Sequence, residues 1–229
     1  MQKPPLTKFE GEKAYRIIPS RYPTIDLYED VASTDELEAV WAIEAMTNDR
    51  LKEEAGELSL VPKHDWLVGI HGSSYVMAAF THLNPEGARF TTDDFGGYYC
   101  APKLDTAIKE TVYHQERVLG YTCEPAQKVQ MRVLLTTFDA TLSDITDEPF
   151  LSSPIYHATD YSQAKAFAQT QKSQNADGIH YRSVRHTEHF CYVLYRPCLI
   201  THVHQAQHLE YHWNGSAITN VLSIQLYGE

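Results

Sequence analysis

Hydrophobic positions change their period several times along the chain, and the changes mark out its elements. Residues 14–18 (AYRII) alternate and end β-branched, which predicts a strand stopped by Pro19. From Ser33 the spacing turns helical: Ser33, Thr34 and Asp35 are capping types, Leu37, Val40, Trp41, Ile43 and Met46 follow, and Asp35 and Glu36 suit the positive end of the helix dipole. Residues 61–72 read as loop with a short helical turn. The apolar run 73–83 (SSYVMAAFTHL) fits either a buried helix or a strand, and its two leading serines and central Met-Ala-Ala favour the helix. Asn84–Pro85–Glu86–Gly87 then marks a turn.

The stretch 87–119 packs several elements together. It predicts a short strand around Arg89 and Phe90, a turn rich in Asp and Gly, a strand over 97–101, and a helix over 103–119 with Gly120 as its stop. Residues 128–141 (KVQMRVLLTTFDAT) alternate and then become continuously apolar, as a central strand does. A capped helix is predicted over 159–170, and strands over 178–185, 191–195, 200–211 and 217–227. Helices interleaved early and strands dominating late make an α+β domain. With no linker-like stretch, the expectation is one domain over 14–229 behind a polar tail at 1–13.

Composition narrows the function classes. The net charge of −11 argues against direct binding to nucleic acid or to an anionic membrane, both of which need clustered Lys and Arg. Cys100, Cys123, Cys191 and Cys198 lack CxxC pairing, so they read as reduced, mostly buried thiols rather than a zinc or redox motif. The first residues contain no apolar h-region and no apolar run is long enough to span a bilayer, which makes a cytoplasmic location the expectation.

Candidate chemistry centres on Arg89, Tyr99 and Glu110. A cation, an aromatic ring and a carboxylate brought together can bind an anionic, ring-bearing ligand and stabilise positive charge as a bond breaks. Taken singly, each residue has an ordinary explanation. Glu110 alone is a typical surface helix residue, Arg16 alone a solvent-facing strand residue, and Ser183 alone an ordinary strand position. Tyr98 and Tyr99 alternate, so one faces the core and the other can face a cleft. The group His202, His204, His208 and His212 offers two imidazoles on one strand face, yet only Glu210 lies near to complete a metal shell. The chain holds no G-x-S-x-G elbow and no phosphate loop, and Gly96–Gly97 read as turn residues.

Taken together, YRI at 15–17, GARF at 87–90, GGYYCA at 96–101, TAIKET at 106–111 and GIHYRS at 178–183 resemble the RES domain family. Arg89 and Tyr99 stand ten residues apart and Tyr99 and Glu110 eleven, a separation similar to the family's Arg–Tyr–Glu core. Family members include NAD-degrading toxins of bacterial toxin–antitoxin pairs. The resemblance implies an ADP-ribosyltransferase-like fold of mixed sheets with flanking helices, from which this chain departs by a helical segment inserted at about 33–85. It also implies an enzyme that cleaves the nicotinamide–ribose bond of NAD, as glycohydrolase or phosphorylase, with NAD as substrate and neither cofactor nor metal. Arg16 and Arg89 would hold phosphates or ribose, Tyr99 would stack on the nicotinamide, Glu110 would act at the ribose, and Ser183 would orient the substrate or Glu110. A mono-ADP-ribosyltransferase and a non-catalytic interaction module are the alternatives. A cognate antitoxin and a second copy of the chain are the protein partners to consider.

Overall fold

The computed structural model describes residues 2–20, 28, 29, 31, 33–38 and 57–225. The long alternating segments pair into one seven-stranded sheet. Its strands are β1 (Leu6–Pro19), β2 (Tyr98–Cys100), β3 (Gln127–Asp144), β4 (Gly178–Arg182), β5 (Phe190–Leu194), β6 (Ile200–Trp213) and β7 (Ile218–Ile224). Among the described residues the helices of two turns or more are α1 (Ser73–Thr81), α2 (Leu104–Tyr121) and α3 (Ser162–Ser173). The result is a mixed α+β fold whose sheet is antiparallel except between β3 and β4.

β3 is the axis. Along one edge it pairs with β1, from Leu6 opposite Ser143 to Pro19 opposite Met131. Its other edge carries β6 and then, at Ser143 and Asp144, β4. From β4 the sheet continues through β5 to β2, and β2 returns to β1: Tyr15 and Ala101 exchange both backbone hydrogen bonds, at 2.7 and 2.9 Å. The strands β1, β3, β4, β5 and β2 therefore close a ring, with β6 and β7 extending from β3. Closure satisfies β2's free edge internally.

Two apolar clusters fill the two sides. One gathers α1 (Val76, Met77, Phe80) against Leu134, Phe138 and Val203; the other gathers α2 and α3 against Met131, Ile145, Tyr181 and Tyr211. On α3 the buried side chains are Ala164, Phe167, Ala168 and Gln171, and Gln171 accepts a hydrogen bond from Ser143 at 2.6 Å.

Several predicted boundaries are corrected. Residues 6–13 are not tail but the first half of β1, which accommodates its polar run by pairing with β3 around a bulge at Gly11 (φ 60°). Arg89 and Phe90 form no strand; Ala88 and Thr91 bridge each other and close a tight turn. α2 runs through Gly120 to Tyr121, and the left-handed residue that follows it is Cys123 (φ 52°), whose N–H donates to the Gly120 carbonyl at 3.3 Å. Cys123 and Cys198 are exposed, leaving only Cys100 and Cys191 buried. Of the apolar run 73–83, residues 73–81 resolve as helix. Of the predicted acidic helix only a turn at 34–38 falls among the described residues, and the rest of it lies outside them.

Candidate active site

The turn that carries Arg89 is fixed by its backbone. Asn84 opens it, accepting from Gly87 N at 2.7 Å through its carbonyl and from Glu86 N at 3.0 Å through its side chain. Gly87 then turns left-handed at φ 63°. Phe90 is wholly buried edge-on to Tyr181, and two tyrosine hydroxyls hold its peptide groups: Tyr99 OH accepts from Phe90 N at 2.9 Å, and Tyr195 OH donates to Phe90 O at 3.1 Å. Arg89 is thereby aimed inward. Its Nη1 donates to the carbonyls of Ile155 (3.0 Å) and His157 (2.9 Å), and its guanidinium lies 4.4 Å from the centre of the Tyr161 ring. Nε and Nη2 make no hydrogen bond among the described residues.

Closure of the sheet supplies the next two groups. Because Tyr15 pairs with Ala101, Arg16 sits beside Tyr99, and its Nη1 donates to the Tyr99 carbonyl at 3.1 Å. The guanidinium also rests 4.7 Å from the centre of the Tyr98 ring. Burial lowers its pKa from the usual guanidinium value, against the opposing influence of Tyr98, Cys100 and Tyr99, and its Nε is buried without a partner among the described residues. The choice between the two tyrosines is settled here. Tyr98 is fully buried, its hydroxyl 2.6 Å from Thr136 Oγ1, whereas Tyr99 faces the cleft. Burial raises the Tyr99 hydroxyl to about 12, so it is a neutral hydrogen-bonding group near neutral pH.

Glu110 comes from α2, which is clamped at both ends: Thr106 Oγ1 lies 3.0 Å from His186 Nδ1, Thr111 Oγ1 lies 2.7 Å from Tyr211 OH, and Glu116 accepts from Ile218 N at 2.7 Å. Ser183, just past the end of β4, donates to Glu110 Oε1 at 2.5 Å. The same hydroxyl accepts from Arg185 N (3.1 Å) and His186 N (2.8 Å), which fixes its direction. Cys191 Sγ stands 4.0 Å from Glu110 Oε1, and burial together with that carboxylate pushes the thiol well up.

Arg16, Arg89, Tyr99 and Glu110 all line one cavity of ≈ 1080 Å³. Ser183 is not part of the lining and is tied to it through Glu110. The lining also holds residues that pattern reading overlooked: His114, Arg117, Tyr161 and Lys165. Helical spacing could have found the first two, since 110, 114, 117 and 121 fall on one face of α2. Lys165, on α3, donates to the Glu86 carbonyl and so ties α3 to the 84–87 turn across the cavity. Arg16, Arg89, Arg117 and Lys165 face Glu86, Glu110 and Asp160, so an acidic chain presents a locally cationic hollow. Enclosure, with Arg117, Arg185 and Arg89 around it, pulls His114 down to about 4, and its ring is neutral at neutral pH.

The histidine-rich strand stands apart from this cavity. On β6 the rings of His202 and His204 are 5.4 Å apart, while His212 is held by Glu210 at 2.7 Å. Among the described residues no group of three or more His, Cys, Asp or Glu side chains is placed to hold a metal ion. Nor is any described helix long and apolar enough to cross a membrane.

A solved structure, the crystal structure of the M. tuberculosis MbcT-MbcA toxin-antitoxin complex, is similar over 91% of this chain and 87% of that one, at 13% identity and a TM-score of 0.46. The uncharacterized protein y4oC of Sinorhizobium fredii is 28% identical over 208 residues, which are 91% of this chain and 86% of the relative. The RES domain model matches residues 66–214, a span that includes Arg89, Tyr99, Glu110 and Ser183 and that Arg16 precedes. With well over half of its length matched, the chain belongs to the RES domain family.

Proposed function

We propose that the cavity binds NAD and that the protein cleaves its nicotinamide–ribose bond, as the toxin of a toxin–antitoxin pair. The observation that carries this is the convergence of Arg16, Arg89, Tyr99 and Glu110 on one hollow of ≈ 1080 Å³, at the upper end of small-molecule sites and roomy enough for a dinucleotide. Guanidinium groups bind a diphosphate through forked hydrogen bonds, and Arg89 keeps its Nε and Nη2 free of partners among the described residues. The Tyr99 ring offers a flat face to the cationic nicotinamide.

Glu110 supplies the chemistry. As nicotinamide departs with the electrons of the glycosidic bond, positive charge grows on the ribose, and a carboxylate beside it stabilises that centre or aligns the nucleophile that adds to it. Ser183 bonds one carboxylate oxygen, Oε1, and the other is left to serve the ligand. The reaction needs no metal in this scheme. Water as acceptor gives ADP-ribose, phosphate gives the ribosyl phosphate, and a protein side chain would make the enzyme a transferase.

Purified protein incubated with NAD should release free nicotinamide, faster with added phosphate if phosphate is the acceptor. Labelled NAD in cell lysate should label protein only if the transferase activity is present. Glu110→Gln should slow release by about 100-fold or more. NAD left intact by the wild-type protein, or full turnover by Glu110→Gln, would contradict the assignment.

A further inference from the structure

Glu110 on α2 and Arg89, whose guanidinium is held by the carbonyls of Ile155 and His157, line the same cavity, and something must fix the distance between them. One side chain outside the lining touches both sides. The guanidinium of Arg185 lies 3.4 Å from the centre of the Tyr113 ring on α2, three residues from Glu110. Through Nη2 it donates to the carbonyl of Ala158 and to Tyr161 OH, the latter at 3.3 Å. Tyr161 is the ring over which Arg89 lies, and His157, next to Ala158, is one of the two carbonyls that Arg89 grips. Arg185 is further tied to the acid itself, since its backbone N–H donates to Ser183 Oγ, which donates to Glu110.

We propose that Arg185 is a positioning residue that sets the separation between Arg89 and Glu110, through Tyr161 and Ala158 on one side and Tyr113 on the other. Its role in turnover rests on reading the cavity as an NAD-cleaving site. Arginine suits the task because a planar guanidinium can stack on a ring and donate in its own plane at once, which an ammonium cannot do. Without it the 157–161 wall keeps its grip on Arg89 but loses its reference to α2. Substrate would still be bound, with the ribose displaced from the carboxylate. A displacement of about 1 Å at a reacting centre costs up to about 100-fold in rate.

The test compares Arg185→Ala and Arg185→Lys with wild type in NAD turnover and in amide hydrogen exchange. Arg185→Ala should lower kcat by about 10- to 100-fold with KM within about twofold, and Arg185→Lys should recover only part of the loss. Exchange should rise in 157–161 and stay unchanged in β3, a pattern that general destabilisation would not give. Unchanged exchange at 157–161, or a wild-type kcat in either variant, would overturn the proposal. If Arg185→Ala does not fold, Arg185→Lys decides. If wild-type protein does not act on NAD, the reaction assignment fails separately, and exchange at 157–161 still decides whether Arg185 is the clamp.

Discussion

At the scale of single residues, the site depends on polar groups whose freedom has been removed. Phe90 has both backbone groups taken by tyrosine hydroxyls, Arg89 spends one nitrogen on two carbonyls, and Glu110 accepts from a serine that is itself held by two backbone N–H groups. His114 ties the site to pH. Its pKa falls from 6.5 to about 4 on folding, so between these values the unfolded chain binds a proton that the folded protein refuses. Stability from this source is intact above pH 6.5 and is lost progressively as pH falls towards 4. The thermal midpoint of His114→Gln should therefore drop less than that of wild type over the same window. Parallel curves for the two proteins would show that His114 is not held neutral.

At the scale of elements, the 84–91 turn is the delicate piece. Gly87 adopts φ 63°, and a Cβ there would stand 2.4 Å from the Thr91 carbonyl, a backbone atom that cannot step aside cheaply. Gly87→Ala should cost about 1–3 kcal/mol of stability in urea unfolding and should raise KM as Arg89 is displaced. An unaltered midpoint and KM would mean that the turn relaxes without moving Arg89. The long elements were legible in sequence because their burial is periodic: β3, α2 and α3 appear where residues 128–141, 103–119 and 159–170 announce them. The turn around Arg89 was not, since its conformation is set by Tyr99 and Tyr195 from other strands rather than by its own pattern. The first half of β1 was also missed. Its alternation is polar, and only pairing with β3 makes it a strand.

At the scale of the whole molecule, sheet closure makes the site. Arg16 belongs to β1 and Tyr99 to β2, eighty-three positions apart, and they meet because β2 returns to β1 at Tyr15 and Ala101. Strand patterning alone sends Arg16 to solvent, since nothing local tells a strand residue that the ring of strands will close beside it. The resemblance of short motifs points to Arg89, Tyr99, Glu110 and Ser183, whereas His114, Arg117, Lys165 and Arg185 are brought to the cavity or its edge by the fold. The measurement that bears most directly on the account is a crystal structure of Glu110→Gln soaked with NAD, a variant expected to bind without cleaving. The diphosphate should lie on Arg89 and Arg16, the nicotinamide against Tyr99, and the ribose C1′ within about 3–3.5 Å of the residue 110 side chain. NAD bound elsewhere, or a cavity still empty at saturating NAD, would contradict it.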